Sequence, residues 1–411
     1  MDYSIEISGN KLEGEIELPA SKSISNRVLV MNALAKSDIP VENVAKCDDT
    51  DAVADALASE YHIKNIGAAG TAMRFLTAYF SMLDGSDIIL DGTQRMRQRP
   101  IKVLVEALRK CGAHIEYCDK EGYPPIRIKG GKLIASSIEL PGDVSSQYIS
   151  ALLMIAPYME MGLDIVLKGD IISLPYIDMT ILLMRKFGVN VHMKDNVISV
   201  PRGIYSPVKF KVESDWSAAS YWYELQALMP GSRIVLCGLS EDSVQGDSMV
   251  AGYFELFGVK TSYYDGYVVL SSELDFIKPS FVEIDLVNQP DLAQTIIVTA
   301  CLKDIHFKIT GLSTLKIKET DRIEALRSQL AKLGYIINTG NGYSMSWTGE
   351  RCAEELSLSI STFDDHRMAM AFAPASIFFP GIVIKNIDVV SKSYPDYWNH
   401  LQNVGFKLMP V

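Results

Sequence analysis

The sequence predicts a mixed α/β fold (α/β or α+β) with two domains built from a repeated unit. Five segments share one pattern, in which an amphipathic helix is followed by a glycine and then by a β-rich run. The glycines are Gly112, Gly188, Gly258, Gly334 and Gly405. Helices commonly end at a glycine because glycine accepts the left-handed conformation.

The spacing of these glycines gives the length of the unit. Successive glycines lie 76, 70, 76 and 71 residues apart. Lys36 lies 76 residues before Gly112, where a helix after "SKSISNR" is expected to end, and this indicates a sixth, degenerate unit. Six units of this length fit two globular domains better than a solenoid, whose repeats run to about 20–50 residues.

Two further features complete the predicted elements. Turn residues in "IPVENV" (39–44) and "YYDGYVVLS" (263–271) indicate strand pairs between the units. The uncharged stretch 368–384 contains Pro374 and Pro380 and is shorter than the ~20 residues of a membrane span. It is therefore predicted to be a buried helix followed by a buried strand.

Composition excludes several classes of function. The net charge of −11 argues against binding to nucleic acid or to anionic membranes. The N-terminus has no signal-peptide pattern, and six cysteines without a CxxC pair fit a reducing cytoplasm. The six histidines show no metal-ligand spacing, so neither a metal nor a cofactor is expected.

Cations stand at several predicted helix N-termini, where the helix dipole opposes them. Lys22 and Arg27 in "SKSISNR", Arg322 in "KETDR" and Arg367 in "DDHR" are all expected in first helical turns. Backbone N–H donors, a dipole and a cation together form an anion site. We therefore expect the balancing charge to come from a ligand with several anionic groups and not from the chain.

Other polar clusters fit the same interpretation. They include Gly70 at a helix start, the loop Arg95, Arg97 and Arg99, the run Ser145, Ser146 and Gln147, and also Lys318, His366 and Lys392. For each cluster alone, helix capping or surface ion pairing is the simpler explanation.

Two carboxylates among the cations are candidates for proton transfer. Asp291 follows Pro290 at a predicted helix start, and Glu319 lies within "KETDR". A carboxylate among cations stays ionised and can act as a base, while a second can shuttle a proton. The residues alone leave open that Asp291 is an N-cap and that Glu319 only complements a helix dipole.

In their order along the chain, these clusters resemble the motifs of the 5-enolpyruvylshikimate-3-phosphate synthase family of enolpyruvyl transferases. The matching segments cover nearly the whole chain, and "KETDR" with "DHRMAM" is the most specific pair. The other segments are "LPASKSISNR", "AGTAMR", "RMRQRP", "GDVSSQY", "SLPYID", "QGD", "PD" and "SKSYPDY".

The resemblance implies a fold and a reaction. The family has an inside-out α/β barrel arrangement of six βαββ-type units in two domains, with the active site in the cleft between them. Here the domains would be residues 1–18 with 214–411, and residues 19–213. The reaction joins shikimate 3-phosphate and phosphoenolpyruvate through a tetrahedral intermediate, without a metal or cofactor. The partners are these small molecules, not nucleic acid or a membrane, and a cytoplasmic monomer is expected.

The resemblance also implies roles for individual residues. Asp291 would accept the proton of the 5-hydroxyl, and Glu319 or Lys22 would protonate the methylene carbon. Shikimate 3-phosphate would be bound by Lys22, Ser23, Arg27, Ser145, Ser146, Gln147, Ser173, Tyr176, Asp291, Thr314 and Lys318. Phosphoenolpyruvate would be bound by Lys22, Gly70, Arg95, Gln147, Arg322, His366, Arg367 and Lys392.

The chain departs from the usual family motifs at three positions. Two alternative functions are also considered. Ala68, Phe75 and Thr314 stand where Asn, Pro and Asn are common, so altered ligand affinity is expected without loss of the reaction. A UDP-N-acetylglucosamine enolpyruvyl transferase is one alternative, but it usually has a reactive cysteine in the loop that reads "GTQRMRQRP" here. The other is a non-catalytic anion-binding module.

Overall fold

The computed structural model describes residues 1–273 and 275–411. The helices in that part of the chain are α1 (Lys22–Leu34), α2 (Asp48–Ala58), α3 (Gly70–Met82), α4 (Lys102–Lys110), α5 (Ser146–Ile155), α6 (Leu174–Lys186), α7 (Trp216–Leu228), α8 (Val250–Glu255), α9 (Ala293–Leu302), α10 (Arg322–Lys332), α11 (His366–Phe372) and α12 (Tyr397–Asn403).

The strands are β1 (Tyr3–Ile7), β2 (Glu13–Glu17), β3 (Ile63–Asn65), β4 (Asp87–Asp91), β5 (His114–Tyr117), β6 (Ile126–Lys129), β7 (Ser137–Pro141), β8 (Leu163–Lys168), β9 (His192–Lys194), β10 (Val197–Val200), β11 (Arg233–Cys237), β12 (Val259–Tyr264), β13 (Tyr267–Ser272), β14 (Phe281–Asp285), β15 (His306–Thr310), β16 (Met345–Trp347), β17 (Ser359–Ile360), β18 (Ile382–Ile384) and β19 (Phe406–Pro410).

One strand order recurs in the sheets. It is β3-β4-β6-β5, β7-β8-β10-β9, β2-β11-β13-β12 and β17-β18-β1-β19, with a three-stranded version β14-β15-β16. The first two strands of each sheet are parallel and the remaining pairs are antiparallel. Parallel neighbours need a long crossover, which a helix such as α3, α5 or α9 supplies. The predicted mixed α/β class with a repeated unit is confirmed.

The N-terminal strand completes the sheet of the last unit. β1 is antiparallel to both β18 and β19, with Tyr3 opposite Ile384 and Pro410. It takes the position that β6, β10 and β13 occupy in the other four-stranded sheets. This sheet therefore combines the two ends of the chain.

The glycines that define the repeat have the backbone conformation expected of them. All five have φ between 82° and 105° directly after a helix. In the sixth unit Lys36 follows α1 with a φ of 49°, so a lysine takes the left-handed position there.

The structure corrects two strand predictions. The "YYDGYVVLS" hairpin is present as β12 and β13, but "IPVENV" forms only an isolated bridge between Glu42 and Lys211. Pro40 lacks an amide donor and Asn43 has a φ of 53°, which prevents a regular ladder. After Gly334 the chain likewise forms isolated bridges, from Tyr335 and Asn338, and no extended strand.

The described residues form two compact units, Met1–Pro19 with Ser214–Val411 and Ala20–Glu213. In the first unit all ten residues of α9 are buried, as are twelve of the thirteen in α7. In the second unit nine of the ten residues of α5 are buried. Helices that are covered on all sides form the interior of a domain, so each unit has its own core.

The helix and the strand predicted in the uncharged stretch are present, but between them Phe378 is 48% exposed. The stretch contains most of α11, whose seven residues are all buried, and the buried ends of β18. No helix in residues 1–273 or 275–411 is long and apolar enough to cross a membrane.

Candidate active site

In the first compact unit, Arg322 brings three carboxylates together at the start of α10. Its Nε lies 2.7 Å from Asp365 Oδ2, its Nη1 2.9 Å from Asp291 Oδ1 and its Nη2 2.9 Å from Glu319 Oε2. The guanidinium has five N–H donors in a rigid fork, so one side chain can serve all three partners. Its side chain is 2% exposed, which makes these contacts little screened by water.

Asp291 has two further cationic partners. Its carboxylate lies 3.4 Å from Lys318 Nζ and 3.1 Å from Arg367 Nη2. Burial acts to raise the pKa of Asp291, but Arg367, Lys318 and Arg322 together outweigh it and hold this pKa well below its ordinary value. Asp291 is therefore ionised at neutral pH, as a general base must be.

Asp291 is not the N-cap of a helix. It lies in the 3-10 turn Pro290–Leu292, and the capping position of α9 is Leu292, without a side-chain cap. The capping alternative for Asp291 is therefore wrong. The side chain that does cap a helix in this cluster is Asp365, which accepts a hydrogen bond from Arg367 N at 3.0 Å at the start of α11.

Glu319 is the second carboxylate with a candidate proton-transfer role. Its Oε1 lies 2.9 Å from Lys392 Nζ, and its Oε2 contacts Arg322. Glu319 precedes the first residue of α10, and Lys392 comes from a different part of the chain, the 3-10 turn Ile387–Lys392. Glu319 therefore does more than complement a helix dipole.

The expectation that only a ligand balances the cations is wrong. Four cations of the first unit share three carboxylates; the cations are Lys318, Arg322, Arg367 and Lys392, and the carboxylates are Asp291, Glu319 and Asp365. In the second unit Lys22 Nζ lies 3.1 Å from Asp49 Oδ2. Burying an unpaired charge costs several kcal/mol, so the chain supplies partners. An anionic ligand would share these cations with the carboxylates.

Arg27 lies in the second turn of α1, because that helix begins at Lys22 and a turn takes 3.6 residues. The prediction that Arg27 lies in the first turn of a helix is therefore wrong. The side chain is buried, and its Nε and Nη2 donate to Thr180 Oγ1 at 2.7 Å and Ser150 Oγ at 3.1 Å. Burial lowers the pKa of Arg27 to about 10. No carboxylate of the described chain pairs with it.

The remaining donors of Arg27 reach the starts of two helices. Nη1 donates to Ser23 O at 2.9 Å and Nη2 to Tyr176 O at 3.3 Å. The guanidinium also lies 5.3 Å from the centre of the Phe75 ring. Arg27 thus ties α1, α5 and α6 together, and the unusual Phe75 supplies an aromatic face for its charge.

Three serines begin two adjacent helices. Ser145 caps α5, accepting from Gln147 N at 3.4 Å, and Ser146 is the first residue of that helix. Ser173 precedes α6 with a φ of 53°, a conformation that costs a non-glycine residue about 1 kcal/mol or more. Ser150 Oγ of α5 lies 2.8 Å from Thr180 Oγ1 of α6, and Ile172 N, just before α6, donates to Gly142 O, just before α5, at 3.2 Å. The three hydroxyls therefore lie at neighbouring helix starts.

The start of α3 lies next to the same group. Gln147 Nε2 donates to Thr71 Oγ1 at 3.1 Å, which joins the first turns of α5 and α3. Gly70 is the first residue of α3. Arg95 is exposed, and its Nη1 lies 3.5 Å from Gln98 Oε1 in the loop that follows β4.

Thr314 and His366 are the two remaining candidates of the first unit. Thr314 Oγ1 has no hydrogen-bond partner among the described residues and lies in the 3-10 turn Ser313–Ile317. His366 is the first residue of α11, with Nδ1 3.8 Å from Asp365 Oδ1.

Sequence reasoning missed Asp49 as the partner of Lys22. The available signal was its place in an acidic run, "CDDTD".

Comparison with known proteins gives consistent similarities. A family model described as EPSP synthase (3-phosphoshikimate 1-carboxyvinyltransferase) matches residues 7–59 and 57–401. A 3-phosphoshikimate 1-carboxyvinyltransferase from Bacteroides fragilis (strain YCH46) is 50% identical over 398 residues, covering 97% of this chain and 96% of the relative. A 3-phosphoshikimate 1-carboxyvinyltransferase from Shewanella pealeana is 36% identical over 424 residues, covering 96% of this chain and 97% of the relative. A solved EPSP synthase from Acinetobacter baumannii has a TM-score of 0.79 at 20% identity, over 100% of both chains.

Proposed function

The chain belongs to the EPSP synthase family, and we propose that the residues described above carry out the family's reaction in this protein. The enzyme transfers the enolpyruvyl group of phosphoenolpyruvate to the 5-hydroxyl of shikimate 3-phosphate and releases phosphate. This is a step of the shikimate pathway to aromatic amino acids.

The contact that supports the assignment of roles best is the pairing of Asp291 and Glu319 with one guanidinium. Arg322 contacts both carboxylates at 2.9 Å. Addition to phosphoenolpyruvate needs one group that removes a proton from the hydroxyl and one that delivers a proton to the methylene carbon. Two carboxylates fixed by a shared cation meet this need, because their separation is set by a rigid group.

In the addition step the 5-oxygen forms a bond to C2 of phosphoenolpyruvate while Asp291 takes its proton and Glu319 protonates C3. In the elimination step the bond from C2 to the phosphate oxygen breaks, C3 returns its proton to Glu319, and the proton held by Asp291 leaves with the phosphate, which restores both carboxyl groups to their starting state. The low pKa of Asp291 makes it a weak base at first. When Arg367 and Lys318 also pair with anionic groups of the substrate, they would stabilise the Asp291 carboxylate less. The pKa of Asp291 would then rise, and the carboxylate would become a stronger base.

Binding of the two substrates is assigned to two sets of donors. Ser145, Ser146 and Ser173 would donate to the phosphate of shikimate 3-phosphate, supported by helix starts that favour anions. Lys22 and the cations of the first unit would bind phosphoenolpyruvate, whose phosphate and carboxylate match their charge. The six free cysteines fit a cytoplasmic enzyme, and the proposed state is a monomer.

Phosphate release with three acceptors tests this function. With phosphoenolpyruvate fixed, kcat/KM for shikimate 3-phosphate should exceed that for shikimate by up to about 10⁴–10⁵-fold, because unphosphorylated shikimate leaves the serine donors unpaired. UDP-N-acetylglucosamine should give no release. If shikimate came within about tenfold of its 3-phosphate, the serine cluster would not be the phosphate site.

A further inference from the structure

Two buried hydroxyl groups to which the family resemblance gives no role hold the guanidinium of Arg27. Thr180 on α6 accepts a hydrogen bond from its Nε at 2.7 Å, and Ser150 on α5 accepts one from its Nη2 at 3.1 Å. Thr180 and Ser150 are both 0% exposed, and Arg27 is 2% exposed. Because bulk water does not reach these contacts, the protein itself fixes the direction in which the guanidinium points.

Only one arrangement of the hydroxyl protons satisfies every contact of this network. Thr180 Oγ1 donates to Tyr176 O at 2.8 Å, so it has no proton left for Ser150 Oγ, which lies 2.8 Å away. Ser150 must therefore donate to Thr180, which also accepts from Arg27. The threonine hydroxyl thus uses its single proton and both of its lone pairs, and it cannot rotate without losing a bond.

The acceptors that Arg27 has within residues 1–273 and 275–411 are all electrically neutral. Besides the two hydroxyls they are the backbone carbonyls of Ser23 and Tyr176, at 2.9 and 3.3 Å. Arg322 differs, because three carboxylates contact it. Neutral acceptors orient a guanidinium without cancelling its charge, so the charge of Arg27 can still attract an anionic ligand. These contacts use four of its five N–H groups and leave one on Nη1 for that ligand.

The network also connects Arg27 to the serines that are assigned to the phosphate of shikimate 3-phosphate. Ser150 follows Ser146 by four residues on α5, and Thr180 follows Ser173 by seven residues on α6. Residues four or seven positions apart lie on the same face of a helix. Each hydroxyl that holds the guanidinium therefore lies on the same face as a serine at the start of its helix, and the guanidinium is fixed relative to those serines.

We propose that Thr180 and Ser150 are positioning residues of the shikimate 3-phosphate site, and that they act through Arg27. They hold a charged guanidinium at one distance and direction from the serine hydroxyls. The site then selects an acceptor whose phosphate and second polar group have a matching separation. The proposal rests on the proposed function and adds two residues to it. In this role neither hydroxyl needs to touch the substrate.

The test compares Thr180→Val with Thr77→Val as the matched control. Thr77 on α3 is also 0% exposed, and its hydroxyl donates to the carbonyl four residues earlier, Met73 O, at 2.6 Å, but it makes no hydrogen bond to Arg27. Thr180→Val should weaken calorimetric affinity for shikimate 3-phosphate about tenfold, the loss expected for one charge-assisted hydrogen bond. Thr77→Val should keep the wild-type affinity. In both variants KM for phosphoenolpyruvate at saturating shikimate 3-phosphate should remain at the wild-type level, and kcat should change less than KM for shikimate 3-phosphate.

Two further variants separate positioning from packing. Thr180→Ser keeps the hydroxyl and should keep most of the affinity for shikimate 3-phosphate, whereas Ser150→Ala removes one contact and should lose part of it. Wild-type affinity in Thr180→Val would overturn the proposal, and so would an equal loss in Thr180→Ser, because the hydroxyl would then not be the cause. If Thr180→Val does not fold, unchanged affinity in Ser150→Ala overturns it instead. Absence of phosphate release by the wild type would contradict the proposed function itself, a different result from unchanged binding in these variants.

Discussion

Three carboxyl groups of the first compact unit differ in pKa because they have different neighbours. Around Asp291, cations outweigh the effect of burial and its pKa is low. Asp247 accepts a hydrogen bond from Ser217 Oγ, yet burial and the charge of Asp291 raise its pKa to about 6. Glu224 is fully buried without a partner among the described residues, and burial raises its pKa well above the usual range. The same chemical group thus becomes a base, a group that titrates near neutral pH, or a neutral acid.

At Asp291 we predict that Asp291→Asn loses turnover by about 10²–10⁴-fold, the usual contribution of general-base catalysis. Binding of shikimate 3-phosphate should persist, because the substitution removes a carboxylate that pairs with Lys318 and Arg367 and leaves those cations in place. Single-turnover kinetics and calorimetry measure the two effects. Near-normal turnover in this variant would show that the base is another residue.

At Glu224 we predict a stability gain that depends on pH. The folded state binds the proton of Glu224 more tightly than the unfolded state does, so the wild type loses stability as pH rises above about 4.3 and up to the folded pKa. Glu224→Gln mimics the neutral acid and should match the wild type near pH 4. Over that pH range its advantage should grow by up to about 1.4 kcal/mol per pH unit.

Urea unfolding of both proteins between pH 4 and pH 8 measures this difference. Glu255→Gln, at an exposed position on α8, is the control and should show no such trend. A Glu224→Gln variant that is less stable than the wild type at every pH would mean that the ionised carboxylate is satisfied in the fold.

At the scale of elements, the starts of α10 and α11 depend on one buried side chain. Asp365 is 0% exposed; it caps α11 and binds Arg322, the first residue of α10, through two nitrogens at 2.7 and 3.3 Å. The apolar face of α10, including Ile323 and Leu326, could be read from the sequence by its spacing, and both residues are buried. The ion pairs of Arg322 could not be read from the sequence, because its partners are separated from it by as many as 43 residues and only the fold brings them together.

For this pair of helices we predict that Asp365→Asn destabilises the protein by about 3–5 kcal/mol. The amide can still cap α11, but Arg322 loses its most buried carboxylate, and breaking a buried pair is costly. The matched control is Glu324→Gln, which removes an exposed pair with Arg327 on the same helix and should cost no more than about 1 kcal/mol. Equal effects of the two changes on the urea midpoint would contradict a structural role for Asp365.

At the scale of the whole molecule, the candidate site residues are divided between two compact units. Lys22, Arg27 and the three serines belong to residues 20–213, whereas Asp291 and Glu319 belong to residues 214–411. The repeat, the mixed α/β class and most helix starts were predictable because they depend on local spacing and turn chemistry. The strand pair expected in the sixth, degenerate unit was predicted wrongly, since one bridge between residues 42 and 211 stands in its place.

For the whole chain we predict a local protection pattern on binding of shikimate 3-phosphate. Hydrogen exchange should slow at the starts of α5 and α6, where the serine hydroxyls and first-turn amides would bind phosphate. The hairpin of β12 and β13 should exchange as before. Unphosphorylated shikimate at the same concentration is the control, and slowing of equal size with it would contradict a phosphate site at these helices.

The position of β1 has a consequence for synthesis of the protein. Tyr3 pairs with Ile384, which is translated 381 residues after it. At about 5–20 residues per second, β1 would wait roughly 20–75 s for its sheet. The segment 20–213 contains both partners of each of its strand pairs and can fold while translation continues. The unit that holds both chain ends is therefore completed last, and its first strand is the part of the nascent chain with the longest need of protection from aggregation.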